Sequence, residues 1–365
     1  IEFYRELVQP TKRIILCVDG VAGNAKMSQQ RQRRFKSSMG DELLNDFDPV
    51  CLTPGTKVMD FMTKYIDWYV KSMQTMHPAW KDLEVIVSNE KVPGEGEHKI
   101  VDYIRKNSPY DKYCIYGADA DLFMLSLATE HDKVWILREE THNKRDTTGM
   151  HYFVDVSKFR ESLIDKHLGW CSDVKFKSKA AIDDFVLMCF MTGNDFLPNI
   201  PTMTILSGGI DQMTQIYKNV CSKHGHLTRS TKKYITLRKD AIREFFKELA
   251  KLEKPALEEK WEAREAYFPD TQLNDYMRSR KDGHGCLQFP EYMEAYYNSH
   301  FSSDITLKKL SETYLTGMKW VINYYKFGIP DWEWYYPYHY GPFFNTLVEY
   351  VDDFKNENFK PKFFS

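Results

Sequence analysis

Short apolar runs alternate with segments of helical spacing along the first part of the chain. RIILCVD (13–19) is an apolar run ending in an acid and followed by Gly20, which predicts a buried strand. LEVIVS (83–88), KYCIY (112–116) and KVWIL (133–137) predict three more. Residues 25–36 predict a basic helix. Thr53-Pro54 opens a helix to about residue 75, with Val58, Phe61, Met62 and Tyr65 at helical spacing. Residues 95–106 predict a helix after a Pro-Gly turn. The strand at 112–116 leads into a helix ending near residue 128, and residues 179–192 predict another. This alternation predicts an α/β fold: a mostly parallel twisted sheet flanked by helices. In such sheets ligands bind beyond the carboxyl ends of the strands.

The pattern changes after residue 217. Residues 1–217 are expected as one core. Residues 218–287 are charge-rich and predict a helical linker, with KELAKLEKPALEEKWEAREAYF as solvated helices and RSRKDGHG as a loop. Residues 288–365 predict a second ordered block, helical and rich in Tyr and Trp. Over 365 residues, 42% hydrophobic and 28% charged content excludes a disordered chain. No apolar run approaches the ~18 residues of a membrane span. The opening, IEFYRELVQPTKR, has no signal-peptide pattern and no Met, so the sequence is expected to begin inside a longer chain. Seven scattered Cys without a C-x-x-C predict buried free thiols in a reducing compartment.

A net charge of −2 argues against a wholly electrostatic nucleic-acid binder, but the local distribution is uneven. Residues 10–36 hold seven Lys/Arg and one acid, Asp19. Acids then double up: Glu95 and Glu97 flank Gly96, and Asp119 and Asp121 flank Ala120. With Asp19 and Asp195 these are six carboxylates at predicted element ends. Any one of them is more simply an N-cap, but capping does not require doubled acids in two places. Packed together they repel unless cations intervene. Oxygen-only ligands select Mg²⁺ or Mn²⁺, and two such ions suit phosphodiester hydrolysis. Lys26, Gln30, Arg33 and Arg34 form one helical stripe of cations and an amide, suited to a terminal phosphate. On the residues alone, a solvated basic face or a backbone-tracking patch is the simpler reading. PDWEWYYPYHYGPF (330–343) offers aromatic faces for bases, although most of its rings are expected in a core. Trp332 and Trp334 share a direction if the segment is extended, which leaves one able to reach a base.

DGVAGNAKMSQQRQRRF, VPGEGEHKIVDYIR, IYGADADLFML, ILREE, DDFVLMCFMTGNDFLPNIP and NYYKFGIPDWEWYYPYHYGPF resemble the Xrn/Rat family of 5′→3′ exoribonucleases, in that family's order and over residues 15–345. The resemblance implies a nuclease core related to the PIN and flap-endonuclease folds, buttressed by the second block. It implies processive, Mg²⁺- or Mn²⁺-dependent release of 5′-mononucleotides from single-stranded RNA with a 5′-monophosphate, in RNA decay and away from membranes. By position, Glu95, Glu97, Asp119, Asp121 and Asp195 match the family's metal carboxylates, and Asp19 its D-G acid. Lys26, Gln30, Arg33 and Arg34 match its 5′-phosphate pocket, and Trp332 or Trp334 its base-stacking residue. Gly23 and Asn24 stand where the family usually has Pro-Arg, which bears on strand separation. The family's opening D-x-N-G-x-x-H strand is expected upstream of Ile1, with one metal ligand and one stacking partner, so this segment alone is expected to have little or no nuclease activity. No zinc knuckle follows Arg138-Glu139-Glu140, which leans toward the cytoplasmic, messenger-decay branch or a viral relative. Two alternatives remain: a flap-type DNA nuclease with the same carboxylate chemistry, and an inactive scaffold binding 5′-monophosphate RNA.

Overall fold

The computed structural model describes residues 1–38, 49–143, 146–168, 176–263, 270–279, 285–357 and 359. The chain forms two compact units. The first comprises Ile1–Arg160 and Tyr325–Trp334, the second Glu161–Tyr324 and Tyr335–Pro361.

In the first unit the order is α1 (Glu2–Val8), β1 (Arg13–Cys17), α2 (Asn24–Ser38), α3 (Lys57–Met76), β2 (Glu84–Ser88), α4 (Gly96–Lys106), β3 (Tyr113–Tyr116), α5 (Asp121–Ala128), β4 (Val134–Asn143) and β5 (Asp146–Asp155). All four expected strands and the helices between them form, although α3 starts at Lys57 behind a Thr56 cap rather than at Thr53-Pro54. Ladder hydrogen bonds do not join the strands into the one expected sheet: among the described residues of this unit they form two small ones. β1 pairs with β2 in parallel, from Arg13↔Glu84 to Cys17↔Ser88. β3 pairs with β4 in parallel, and β5 closes that sheet antiparallel to β4. β5 was not expected, because its Met150, Tyr152 and Phe153 are exposed and leave no one-sided apolar pattern. Ladder hydrogen bonds, rather than burial, extend β4 into its polar half.

The core of this unit is Val101 and Ile104 of α4, Leu122, Leu125 and Leu127 of α5, and Val134, Ile136 and Leu137 of β4. β1, expected to be buried, is half-buried along its length. A second correction concerns α3. Phe61, Met62 and Tyr65 match helical spacing but face solvent, and the buried residues are Met59, Thr63 and Val70. A β-branched hydroxyl can line a core when it is bonded, as Thr63 is to Glu90.

α6 (Val156–Ser162) leads into the second unit. There follow α7 (Ser178–Met191), α8 (Gly209–His224), the hairpin β6 (Thr228–Ser230) and β7 (Ile235–Leu237), and α9 (Lys239–Glu262). Then come α10 (Thr271–Tyr276), the hairpin β8 (Met277–Ser279) and β9 (Gly285–Leu287), α11 (Phe289–His300), α12 (Leu307–Phe327) and α13 (Phe344–Tyr350). α7 is buried from Ala181 to Met191, including Asp184. Burying a carboxylate requires donors. Asp184 receives Tyr217 Oη (2.8 Å), Leu227 N–H (3.0 Å), and the Thr228 N–H (2.8 Å) and hydroxyl (2.6 Å). His226 Nδ1–H also donates to it (3.1 Å), and that tautomer follows from Nε2 accepting the Lys177 N–H (2.9 Å).

The charged stretch is not a set of solvated helices. Up to Glu262 it belongs to α9, which buries a stripe from Ala241 to Leu257, and Leu249, Glu253 and Leu257 of that stripe fall within the stretch. The ends of the expected loop at 278–285 are strands β8 and β9. Its residues 280–284 lie outside the described residues, as does the end of the charged stretch, 264–268. No helix among the described residues is long and apolar enough to cross a membrane.

Glu253 is fully buried and caps α13: it accepts the Phe344 N–H (2.5 Å), the Asn345 N–H (3.1 Å) and Asn345 Nδ2 (2.6 Å). Glu253→Ala leaves those donors unmet. It is expected to destabilise the protein by about 3 kcal/mol in urea unfolding. Exposed Glu259→Ala, one helical stretch away, should stay within about 0.5 kcal/mol of the parent.

Candidate active site

The turn from β2 into α4 is laced to the end of β1. Gly20 lies so close under it that a β-carbon there would stand 2.0 Å from Val92 O, so only glycine fits. Gly20 N–H donates to Gly94 O (2.9 Å), and Gly94 N–H to Val21 O (2.8 Å). At the first position of α4, a β-carbon on Gly96 would lie 3.0 Å from Cys17 O; its N–H donates to Asp19 Oδ1 (2.7 Å). Lys99 Nζ donates to Val18 O (2.8 Å) and Asn89 O (2.9 Å), tying the ends of β1 and β2 to α4. Glu95, Glu97 and His98 are held between these anchors.

Glu95 is buried, and its Oε2 meets Lys26 Nζ of α2 at 2.7 Å. Burial, then the charges of Asp121 and Glu95, push the Glu97 carboxyl up to about 8; Lys26 pulls against them and Asp119 adds to them. That shift favours the protonated form of Glu97, which adds no charge to the cluster. Asp121, the first residue of α5, accepts the Tyr325 hydroxyl at Oδ2 (2.8 Å). Burial and the charge of Asp121 hold the Tyr325 phenol far above its ordinary range, so it acts as a donor. Asp119 is exposed at the end of the β3–α5 turn. The structure thus brings Glu95, Asp119 and Asp121 within electrostatic reach of Glu97, with Asp19 bonded to the same turn. Among the described residues no three His, Cys, Asp or Glu side chains are gathered tightly enough to hold a metal ion. Lys26, Tyr325 and the proton on Glu97 offset the cluster's charge. Asp195 belongs to the second unit, in the loop after α7. There Asn194 Oδ1 accepts the N–H groups of Phe196 (2.8 Å) and Leu197 (3.1 Å).

Lys26, Gln30, Arg33 and Arg34 all lie on α2, as their spacing predicts. Lys26 is turned to the acids, Gln30 is half-buried, and Arg33 and Arg34 are exposed. Arg34 Nη2 donates to Thr53 Oγ1 (2.8 Å). The start of α2 is held by the returning segment Tyr325–Trp334: Asn24 N–H donates to Trp332 O (2.9 Å) and Asn24 Nδ2 to Glu333 O (3.0 Å). This sets Trp332, half-buried like Trp334, at the head of the Lys26 helix. A β-carbon on Gly23 would find ordinary contacts, 3.7 Å from Ile329 Cδ1 and Trp332 O, so lack of space does not require glycine there. In the second unit Tyr336 and Phe343 are buried, and Tyr336 Oη donates to Tyr340 O (2.9 Å), as core packing predicts.

Sequence reasoning did not single out Tyr325, His98 or Arg105. His98 is buried and meets the Tyr325 ring edge-on (5.3 Å between centroids, 85°). Burial, with Arg105 and Lys26 nearby, keeps its pKa far below the ordinary range, so it is neutral. Arg105 donates to Tyr325 O. His98 and Arg105 are seven residues apart on one face of α4, which was a visible signal. Their partner lies too far along the chain to be read.

A family model described as the XRN 5′-3′ exonuclease N-terminus matches residues 1–140, and one described as the Xrn1 helical domain matches residues 175–287 and 286–362. Among individual proteins, the chain is similar to 5′-3′ exoribonuclease 2 of Gallus gallus, 28% identical over 97% of this chain and 53% of the relative. It is also similar to 5′-3′ exoribonuclease 1 of Homo sapiens, 27% identical over 95% of this chain and 25% of the relative. The match to 5′-3′ exoribonuclease 1 of Schizosaccharomyces pombe is 35% identical over 62% of this chain and 19% of the relative. The chain spans about half the length of the chicken relative, and less of the other two.

Tyr325→Phe keeps the ring against His98 and removes the donor to Asp121. The expected cost is about 1.5–3 kcal/mol in urea unfolding, the range for a bond to a charged group. An unchanged midpoint would show that Asp121 does not depend on the hydroxyl.

Proposed function

This chain belongs to the XRN family of 5′→3′ exonucleases, and we propose that it removes 5′-mononucleotides processively from single-stranded RNA that carries a 5′-monophosphate. The observation that carries this reading is the Lys26–Glu95 ion pair, 2.7 Å long, which joins the cationic stripe to the acid cluster. A terminal phosphate gripped by Lys26, Gln30, Arg33 and Arg34 would lie beside the carboxylates, so the bond they act on is the first from the end. We read the parallel pairs β1·β2 and β3·β4 as halves of one twisted sheet in a core of PIN or flap-endonuclease type. Exoribonuclease 1 and 2 proteins both match. The reading keeps to cytoplasmic RNA decay on the lack of a cysteine knuckle after Glu140.

Glu95, Glu97, Asp119 and Asp121, with Asp19, would hold Mg²⁺ or Mn²⁺. The donor set is all carboxylate oxygen, which suits hard cations. A cluster that keeps a proton on Glu97 up to about 8 carries negative charge that a divalent cation relieves. Two such ions, when bound, supply charge neutralisation of the phosphodiester and a water ionised at neutral pH. The chain's own residues do the rest. The α2 stripe selects and orients the end, Trp332 or Trp334 offers a face to the first base, and Tyr325 fixes the direction of Asp121.

Two measurements test this. Asp119→Ala or Asp121→Ala should abolish release of mononucleotides with Mg²⁺ while RNA is still retained in filter binding. Near-normal turnover by either variant would sink the metal assignment. Arg33→Ala should lower kcat/KM on 5′-monophosphate RNA by roughly 10–150-fold, the worth of one charge-assisted bond. Decay of 5′-hydroxyl RNA should change little, and 5′-triphosphate RNA should resist the parent. Equal loss on every 5′ end would make the stripe a general backbone patch.

A further inference from the structure

α3 turns to solvent what a helix normally hides. Phe61, Tyr65 and Trp68 recur at i, i+4 and i+7 and are 66%, 48% and 59% exposed. The rings form a continuous row. Phe61 and Tyr65 are stacked, 6.4 Å between centroids and 21° between planes, and Tyr65 and Trp68 lie 5.5 Å and 36° apart. The row spans about 10 Å of helix at 1.5 Å per residue. A second period runs beside it. Lys57, Lys64 and Lys71, each seven residues on, are all exposed and lie roughly 40–80° around the helix from Phe61. Lys91 reaches the same flank, because Asp60 pairs with both Lys64 (2.6 Å) and Lys91 (3.1 Å). Lys57, Lys64, Lys71 and Lys91 thus stand against Asp60 and Asp67, a cationic edge along an aromatic row.

We propose that this face is a second RNA-binding surface, on which bases of a single strand stack while their phosphates follow the lysine row. The proposal rests on the RNA-degrading reading above and adds where the strand runs beyond its 5′ end. Charge is what selects the occupant. An apolar protein partner would have to desolvate the lysine row, whereas a polyanion neutralises it and releases counterions. Aromatic faces accept any base, which suits an enzyme indifferent to sequence. The row also begins where the phosphate stripe ends, since Arg34 is bonded to Thr53, just before the Thr56 cap of α3.

The test is fluorescence anisotropy with the whole chain in EDTA, using 5′-hydroxyl oligouridine of about 30 nucleotides and 5′-monophosphate oligouridine of about six. Tyr65→Ser with Trp68→Ser changes only exposed rings, and retained folding is checked by circular dichroism. This variant should weaken the long RNA by at least about 10-fold and leave the short one unchanged. Lys57→Gln with Lys71→Gln should lower the slope of log affinity against log salt for the long RNA by about 1.4. Unchanged long-RNA affinity and salt slope in both variants would overturn the proposal while short-RNA binding upheld the end site. So would sedimentation showing a dimer that Trp68→Ser dissolves, which would make the face a protein interface. If the parent binds neither RNA, this proposal and the RNA reading beneath it both fail.

Discussion

Like charges have been gathered at the ends of two strands, and the first unit is arranged around making that tolerable. Two carboxylates 4 Å apart repel by about 4 kcal/mol at an effective dielectric of 20. The structure answers with an ammonium on Glu95, a phenol on Asp121 and a retained proton on Glu97. Each answer draws in another element. Lys26 commits α2, Tyr325 commits the end of α12, and the close seats of Gly20 and Gly96 let β1 and α4 approach near enough for Asp19 to join them. VPGEGEHKIVDYIR is dense with constraint because nearly every position from Gly94 to Lys99 has a partner in this arrangement.

Much of that was readable in the chain. The strands ending at Cys17, Ser88 and Tyr116 announce themselves as apolar runs, and doubled acids after two of them mark where chemistry gathers. Pairing was less readable. β5 has aromatic side chains open to solvent, and a strand stabilised by its ladder alone leaves no alternation to find. α9 is hard to read for the opposite reason. Its many Lys and Glu hide a stripe of Ile242, Phe245, Phe246 and Leu249, because a helix buries one face however charged the others are. Tyr325 could not have been found by spacing at all, since its meaning comes from Asp121.

The aromatic residues carry the same lesson. They are densest toward the C-terminus, where most turn out to be packing. Phe343 is fully buried and meets Tyr296 at 4.9 Å and Tyr297 at 6.0 Å. Phe61 and Tyr65, which fit a core stripe by spacing, are exposed instead. Periodicity says which residues share a face of a helix; it does not say whether that face meets protein or water.

The bond from Tyr325 to Asp121 spans 204 residues, and the segment that carries it returns to the first unit after the chain has left to build most of the second. On a ribosome adding 5–20 residues per second, roughly 10–40 s separate the synthesis of these two partners. During that interval the acids of the β3–α5 turn exist without their phenol, and the head of α2 exists without the carbonyls of Trp332 and Glu333. The first unit is therefore begun first and finished nearly last. A nascent chain that ends between residues 121 and 325 keeps the Lys26–Glu95 pair but leaves Asp121 without its phenol.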